Sequence, residues 1–500
     1  MIIIGVDGLD SVLLSRFERD LPTFRRLREQ SPSLKFTSVF PPDSVTAWIS
    51  AYTGLNPASH GVINFIDAAD RAKRFLFDNV DNRLFRGRTF WDIAGEFGKR
   101  VCVVLPYAVF PPYQVNGVMI CRTLSEDQQA QPIQAFPSSI CNKYEISSSS
   151  LLLFHGFPSK RQLGSFVESC HERTLAEAKL GLKVLKNEEW DLFFIYFSAI
   201  DAIQHTFWSY YDEKHPDYPG RSPYSDIIRE FYILCDSVVA EFVRHIDPDA
   251  TLILLSDHGH GTRPTRMVKI NEILRRKGLL FPKTVGLKNN TFIQPGYTKK
   301  VLADLVNRFG VGHSSLRLMQ KFPVWKRIFT SPASVDWEKT VAYVSDLSAL
   351  KSYSYGGVMI NKKSLNDKEY EEIRCRLISE LRRIEEPISG ENLMKWIRPR
   401  EELYQGNYLG KYPDILFELE EEYGISWDLG GNIFAEGYMH KIQPGSHKMQ
   451  SPVLLISKKD NDTCVKKDCT LMDIAPTVLS LLGIKNDFGF EGSSIVQRSP

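Results

Sequence analysis

The feature that most constrains the fold of this chain is a predicted strand that is followed directly by residues of the types that bind metals. Residues 251–255 read Thr-Leu-Ile-Leu-Leu, an apolar run typical of a buried strand in a parallel sheet. The run stops at Asp257 and His258, which offer an oxygen and a nitrogen that divalent ions accept. Ligands of open α/β sheets bind just beyond the carboxyl ends of strands. Taken alone, the segment is equally compatible with a plain polar turn.

Polar residues at other strand ends repeat this pattern. The predicted first strand is followed by Asp7, another apolar strand leads to Asp201 and His205, and His447 precedes the last predicted strand. Asp201 and His205 are four residues apart, so on a helix they share one face and can bind one ion. The alternative for this pair is a helix-capping aspartate followed by a packed histidine. His440 competes with His447 for the same role.

The order of the predicted elements indicates an α/β fold. Strands alternate with helices, which is typical of a mostly parallel central sheet sandwiched by helices. Residues 284–335 lack this regularity, and a second group of strands and a helix follows from residue 355. We therefore predict a core of residues 1–283, an inserted α+β cap of residues 284–410, and a second core segment of residues 411–500.

Composition excludes several partner classes. The formal net charge is +2, so no basic field points to a nucleic acid polymer. No apolar run reaches the roughly 18 residues that membrane insertion needs. The eight cysteines include no Cys-x-x-Cys pair, which favours a reducing, cytoplasmic location over a Cys464–Cys469 disulfide. The sequence does not define an oligomeric state.

The polar strand ends and one turn supply candidate reactive groups. Ser44 follows a double proline at a predicted strand-to-helix turn, where a hydroxyl is well placed for chemistry. Together the candidate ligands and reactive groups are Asp7, Ser44, Asp201, His205, Asp257, His258 and His447. This set is large enough for two metal ions. Two neighbouring ions can clamp the attacking and leaving oxygens of a phosphoryl displacement, and an ion lowers the pKa of a hydroxyl beside it.

At these residues the chain resembles the type I phosphodiesterase/nucleotide pyrophosphatase branch of the alkaline phosphatase superfamily. The motifs follow the order of that family and span nearly the whole chain. They are Gly5-Val-Asp-Gly-Leu9, Phe40-Pro-Pro-Asp-Ser-Val-Thr-Ala-Trp48, Thr53-Gly-Leu-Asn-Pro57, Asp201-x-x-Gln-His205, Ser256-Asp-His-Gly259, Gly445-Ser-His447 and Met472-Asp-Ile-Ala-Pro-Thr477. The resemblance implies an alkaline phosphatase-like fold and a metal-dependent hydrolase of small-molecule phosphate esters.

The resemblance also implies a role for each candidate residue. One divalent ion is held by Asp201, His205 and His447, and a second by Asp7, Asp257 and His258, with Ser44 bridging toward it. Zinc is the expected metal and manganese the alternative. Phosphate is transferred to the nucleophile and then to water.

Two residue assignments depart from the family pattern or match it loosely. The nucleophile in this branch is usually threonine, whereas the register here places Ser44 in that position and leaves Thr46 as the alternative. Asn64 is the candidate substrate-binding residue, as a donor to a phosphate oxygen, and a plain turn residue is its equal alternative.

Several further polar residues are expected to be peripheral. His260 adjoins the Asp257–His258 pair but lies outside the resembled ligand set, so we expect it at the pocket rim or in solvent. Four basic residues are expected as solvated surface charges rather than as a substrate-attracting group. They are Arg263, Arg266, Lys299 and Lys300.

Our first hypothesis is hydrolysis of a nucleotide-like phosphodiester, with a phosphomonoester as the other ester class. A phosphomutase or phosphotransferase of the same superfamily is the first alternative. A metal-containing binding protein without catalysis is the second, and the complete ligand set disfavours it.

Overall fold

The computed structural model describes residues 1–63, 80–124, 132–146, 151, 156–282, 311–312, 335–345, 352–457, 462–485 and 488–498. The strands in these parts are β1 Ile2–Val6, β2 Lys35–Thr37, β3 Val101–Val104, β4 Gly117–Arg122, β5 Ile133–Phe136, β6 Gly156–Phe157, β7 Leu192–Phe197, β8 Leu252–Leu255, β9 Gly259–Thr262, β10 Arg266–Lys269, β11 Val311–Gly312, β12 Ala342–Ser345, β13 Tyr355–Ile360, β14 Met394–Pro399, β15 Ile415–Leu419, β16 Tyr423–Ser426, β17 Phe434–Glu436, β18 Gly445–Lys448, β19 Leu454–Ile456, β20 Asp462–Cys464, β21 Asp468–Thr470 and β22 Val496–Arg498. The α-helices are α1 Ser11–Arg16, α2 Pro22–Gln30, α3 Ser44–Thr53, α4 Pro57–His60, α5 Phe90–Glu96, α6 Ser139–Lys143, α7 Leu163–Asn187, α8 Ala199–Tyr211, α9 Ile227–Arg244, α10 Ile270–Arg276, α11 Asp367–Leu381 and α12 Ile474–Leu481.

The central sheet is mostly parallel, as the alternation of strands and helices predicts. Its strand order is β19-β8-β1-β7-β3-β4-β5. Strands β8, β1, β7, β3 and β4 run parallel, and the antiparallel strands β19 and β5 form the two edges. Strand β1 lies between β8 and β7 and is parallel to both. The residues that follow these three strands therefore meet beyond the carboxyl ends of the central strands.

Helices cover both faces of this sheet, which explains its continuous apolar strands. Side chains of β1 alternate between two cores, with Ile2 and Ile4 in one and Ile3 in the other. Helices α1, α2, α7, α8 and α9 close the first core, and helices α3, α5 and α12 close the second. The predicted α/β fold with a sandwiched sheet is confirmed.

A second region has its own sheet and core. Strands β12, β13, β15 and β14 form a four-stranded sheet that packs with helices α10 and α11. Strand β15, at 415–419, belongs to this sheet. The division into segments 1–283, 284–410 and 411–500 stays a prediction. No helix within the described parts of the chain has the length and apolar character needed to cross a bilayer.

A two-stranded antiparallel ribbon stands beside the edge of the central sheet. It joins β9, directly after β8, to β18, almost two hundred residues later in the sequence. In its register His260 lies opposite His447, and Gly445 lies opposite Thr262. Residues directly opposite each other in an antiparallel pair project from the same face, so the ribbon places two histidines side by side.

Candidate metal centre and active site

The carboxyl ends of β1 and β8 bring Asp7, Asp257 and His258 together. The Nε2 atom of His258 lies 3.5 Å from Asp7 Oδ1 and 3.3 Å from Asp257 Oδ2. One ligand atom from each residue lies within 4.8 Å of the others, and all three side chains are buried. We call this set the carboxylate cluster.

The protein fixes one oxygen of each aspartate and leaves the other facing the cluster. The Tyr196 hydroxyl donates to Asp7 Oδ2, and the Gly8 N–H donates to Asp257 Oδ1 at 3.1 Å. Asp257 Oδ2 has no hydrogen-bond partner within the described residues. Two carboxylate oxygens and one imidazole nitrogen are thus oriented toward one point, which is the arrangement that a divalent cation requires.

Ser44 lies beside this cluster at the start of helix α3. Its Oγ atom is 3.1 Å from His258 Nε2 and 3.4 Å from Asp7 Oδ1. The side chain of Asp43 caps the helix by accepting from the Val45 N–H. The N-terminus of a helix attracts anions, so the Ser44 hydroxyl stands where a phosphate is favoured.

A glycine on β1 allows helix α3 to approach the sheet. A Cβ atom on Gly5 would lie 2.7 Å from the indole ring of Trp48, which is fully buried. Trp48 therefore anchors α3 against β1 and sets the distance from Ser44 to Asp7. The alternative nucleophile, Thr46, is also fully buried, and its hydroxyl has no hydrogen-bond partner among the described residues.

A second group of ligand-type residues lies on α8 and the ribbon. Asp201 Oδ1 is 3.4 Å from His205 Nε2 and 3.4 Å from His447 Nε2. The two Nε2 atoms are 2.8 Å apart. We call Asp201, His205 and His447 the imidazole cluster. Asp201 and His205 lie on one face of α8, as their spacing of four residues predicts.

The tautomers of these histidines test whether a cation fits. His205 Nδ1 is 2.9 Å from the Gly445 carbonyl, and His447 Nδ1 is 2.9 Å from the Pro42 carbonyl. A carbonyl oxygen only accepts hydrogen bonds, so both Nδ1 atoms carry the proton and both Nε2 atoms present lone pairs. Two lone pairs that face each other beside a carboxylate repel, and a bound cation converts this repulsion into attraction. The residues therefore fit a metal ion.

The two clusters form one continuous pocket. The rings of His258 and His447 stack with centroids 3.8 Å apart. Ligand atoms of Asp201, His258 and His447 lie within 4.8 Å of one another. The structure thus brings together every predicted ligand and reactive group from Asp7 to His447. Asn64, the predicted substrate-binding residue, lies outside the described residues.

His260 is a site residue that the sequence reasoning missed. We expected it at the pocket rim or in solvent, but its side chain is fully buried and its Nδ1 lies 3.6 Å from Asp201 Oδ1. Ligand atoms of Asp201, His205 and His260 form a further group within 4.8 Å. The alternation of glycine and histidine in Gly259-His260-Gly261 was the available signal, since every second residue of a ribbon shares a face.

Arg263 also differs from the prediction. It was expected as a solvated surface charge, but it is fully buried. Its guanidinium donates to the Gln443 carbonyl and, at 2.7 Å, to the Gly445 carbonyl that also accepts from His205. Arg263 therefore holds the backbone that orients a site histidine. Arg266 has a side chain that is 52% exposed, as expected, and Lys299 and Lys300 lie outside the described residues.

Burial dominates the electrostatics of the site. It raises the pKa of Asp7, as do the neighbouring charges of Asp257 and Asp201. Burial likewise raises the pKa of Asp257. Burial lowers the pKa of His260, and the neighbouring histidines lower it further. Both directions disfavour charge in a site without compensating cations. Bound cations would restore the charged carboxylates and the neutral imidazoles that metal ligation needs.

Comparisons with known proteins agree with the predicted resemblance. Residues 1–426 match the model of the family described as type I phosphodiesterase/nucleotide pyrophosphatase. His447 lies beyond the matched residues. No curated protein matches the chain.

Among solved structures, the chain is similar to phosphonoacetate hydrolase from Sinorhizobium meliloti 1021 in complex with phosphonoacetate. The TM-score is 0.55 at 12% identity, over 96% of this chain and 95% of that chain. Human ectonucleotide pyrophosphatase/phosphodiesterase 5 gives a TM-score of 0.50 at 12% identity, over 99% of this chain and 97% of that chain. At such identities the likeness establishes a shared fold, which confirms the predicted alkaline phosphatase-like architecture.

Proposed function

Because the chain belongs to the type I phosphodiesterase/nucleotide pyrophosphatase family and is therefore a hydrolase of phosphoric ester bonds, we propose that it cleaves a phosphodiester through a covalent intermediate in which Ser44 is esterified to the phosphate. The observation that carries this proposal is the position of the Ser44 hydroxyl. It lies 3.1 Å from His258 Nε2, at the start of a helix and beside the carboxylate cluster.

We propose that each cluster holds one divalent cation. Asp7, Asp257 and His258 would hold the first, beside Ser44, and Asp201, His205 and His447 the second. When bound, the cations supply positive charge that lowers the pKa of the Ser44 hydroxyl and neutralises the leaving oxygen. The mixed oxygen and nitrogen donors suit zinc, with manganese as the alternative.

The residues themselves orient the nucleophile. Asp7 Oδ1 and His258 Nε2 contact the Ser44 hydroxyl, and Tyr196 keeps Asp7 from turning by binding its other oxygen. Ser44 Oγ gives its proton to solvent water and forms a bond to phosphorus as the bond to the leaving oxygen breaks, and the leaving oxygen takes a proton from water. The α3 N-terminus stabilises the phosphate charge during this exchange. Water then attacks the phosphorus of this Ser44-linked phosphodiester, which releases a phosphomonoester and restores the Ser44 hydroxyl.

The pairing of two basic side chains near the ribbon favours a substrate with one negative charge. Arg263 is engaged with two backbone carbonyls, and Lys448 is paired with Glu421 at 2.6 Å. Because Arg263 and Lys448 are already engaged, neither is available to bind a second negative charge on the phosphate. A diester monoanion is therefore a better match than a monoester dianion. A small cleft lies beside His447 and is lined in part by Phe40 and Tyr355, so aromatic side chains adjoin the proposed phosphate position.

We further propose that the substrate is a small molecule and that the location is cytoplasmic. All eight cysteines are free thiols, including Cys464 and Cys469, which supports a reducing compartment.

The direct test is turnover of chromogenic substrates by the purified protein. We expect bis(p-nitrophenyl) phosphate to be hydrolysed faster than p-nitrophenyl phosphate, and we expect chelation to abolish the reaction and zinc or manganese to restore it. Ser44→Ala should lower kcat by roughly 10⁴-fold or more, whereas Thr46→Ala should retain most of it. Metal-independent turnover, or full activity of Ser44→Ala, would contradict the proposal.

A further inference from the structure

We propose that His260 is a fourth protein ligand of the cation at the imidazole cluster, so that Asp201, His205, His447 and His260 form a closed site. This inference rests on the metal centre proposed above. It adds a histidine that lies outside the motifs through which the chain resembles its family.

The ribbon fixes where the His260 side chain points. His260 and His447 are opposite residues of β9 and β18, and their ring centroids are 5.9 Å apart. The His260 ring also meets the edge of the His205 ring at a centroid distance of 4.6 Å. His260 therefore faces the same side of the ribbon as His447, and its side chain is completely buried.

The distances to Asp201 are those of ligands to one ion. In a tetrahedral zinc site with metal–ligand bonds of about 2.0–2.1 Å, two ligand atoms of one ion lie roughly 3.3 Å apart. Asp201 Oδ1 lies 3.4 Å from the Nε2 atoms of His205 and His447 and 3.6 Å from His260 Nδ1. Three imidazole nitrogens therefore surround one carboxylate oxygen at nearly the same spacing.

The unmet hydrogen-bond capacity of these groups favours a ligand role over a packing role. Neither ring nitrogen of His260 has a hydrogen-bond partner within the described residues, and Asp201 Oδ1 has none either. A buried imidazole that serves only to fill space is expected to bond at least one nitrogen, because an unsatisfied buried polar atom costs about 1–3 kcal/mol. A cation between His260 Nδ1 and Asp201 Oδ1 would satisfy both atoms.

Close packing holds the ring in this position. A Cβ atom on Gly445 would lie 2.5 Å from His260 Nε2 and 2.3 Å from the Gln204 carbonyl. The absence of a side chain at position 445 therefore makes the room that the imidazole occupies. Trp208 closes the other side, with its ring 5.5 Å from that of His260.

A fourth protein ligand makes the two metal positions unequal. Sites with four protein ligands retain their ion, whereas sites with three keep a position open for substrate or water. We therefore expect the imidazole cluster to fill first and to release its zinc last. The carboxylate cluster, with Ser44 beside it, exchanges its ion more readily.

X-ray absorption of the full-length protein loaded with one equivalent of zinc tests this inference. We expect about three imidazoles per zinc in the wild type and about two in both His260→Ala and His260→Gln. The zinc affinity of the tight site should fall at least tenfold in both variants, measured by competition with a chromogenic chelator. His440→Ala is the matched control, since His440 is a buried histidine paired with Asp217 away from the cluster, and its zinc count should equal that of the wild type.

The outcomes separate this inference from the proposed function. Two imidazoles per zinc in the wild type, or an unchanged affinity in His260→Ala, would overturn the role of His260 while leaving the metal-dependent esterase intact. A wild-type protein that binds no zinc or manganese would overturn the metal centre itself. The wild-type imidazole count decides the matter even where a variant fails to fold.

Discussion

The two halves of the site differ in both chemistry and origin. The carboxylate cluster has two aspartates and one histidine, carried by the ends of sheet strands. The imidazole cluster with His260 has one aspartate and three histidines, carried by helix α8 and the β9–β18 ribbon. Oxygen-rich sets accept manganese and magnesium more readily, whereas nitrogen-rich sets favour zinc. If each cluster holds one cation, as proposed, the two ions should differ in selectivity and in strength of binding.

We expect the largest loss of activity when a carboxylate beside Ser44 is removed. We expect Asp257→Asn to lower kcat/KM by roughly 10³-fold, because losing a ligand exceeds the 10–100-fold cost of losing one of its outer hydrogen-bond partners. The Gly8 N–H still finds an acceptor in the new amide, so the fold is retained. Steady-state kinetics with a chromogenic diester measures the loss.

The same variant should have the opposite effect on the metal-free protein. Asp257 and Asp7 are buried like charges, and burial raises the pKa of both. In chelator, Asp257→Asn should therefore unfold at a higher temperature than the wild type. A lower unfolding temperature in chelator would show that the carboxylates are not in conflict without metal.

The next largest effect tests how the carboxylate cluster is oriented. Tyr196→Phe removes the hydroxyl that donates to Asp7 Oδ2 and leaves the ring packing unchanged. We expect metal affinity at this cluster to fall about 10–100-fold while the tight zinc of the imidazole cluster is retained. Equal loss of both ions would show that the two positions are not independent. Competition titration with zinc resolves the two affinities.

A parallel change tests the imidazole cluster. Arg263→Met removes the donor to the Gly445 carbonyl, which orients His205. We expect the affinity of the tight zinc to fall about tenfold, with little change at the carboxylate cluster. Arg266→Met, a change of an exposed arginine three residues away, is the control and should leave both affinities unaltered.

The smallest effect separates structural histidines from ligand histidines through pH. His60 is buried, its Nδ1 accepts from the Val62 N–H, and burial lowers its pKa to about 3. Because the folded-state pKa lies below the unfolded value, His60 contributes stability that is present above about pH 6.5 and is lost as the pH falls toward 3. Between these two pH values, His60 lowers the free energy of unfolding by about 1.4 kcal/mol for each unit by which the pH falls.

His60→Gln should flatten this slope to the same extent in chelator and in saturating zinc. Denaturant unfolding between neutral and acid pH measures it. A change in slope that depended on zinc would place His60 among the metal-linked groups, contrary to the structure.

The carboxylate cluster could be read from the sequence because sheet topology does the positioning. Asp7 and Asp257 each follow an apolar run, and parallel neighbouring strands bring such residues to one edge. Asp201 and His205 were readable for a similar reason, since four residues on a helix return to the same face. Local pattern supplied the candidate residues at these positions, and the family resemblance assigned them to two ligand sets.

His260 and Arg263 could not be placed because their environment depends on the pairing of β9 with β18. That pairing joins segments far apart in the sequence, and its register decides that His260 faces His447 rather than solvent. The burial of Arg263 depends on the same ribbon, since its partners are the carbonyls of Gln443 and Gly445.

Trapping the covalent intermediate tests the central claim most directly. The zinc-loaded enzyme is mixed with excess bis(p-nitrophenyl) phosphate, quenched in acid during the first turnover and analysed by peptide mass spectrometry. We predict one added p-nitrophenylphosphoryl group on the peptide that contains Ser44, because one of the two ester groups stays on phosphorus, with fragmentation placing it on that residue, and none in Ser44→Ala. Unmodified Ser44 in samples that have released a stoichiometric burst of p-nitrophenol, or a p-nitrophenylphosphoryl group on Thr46, would contradict this prediction.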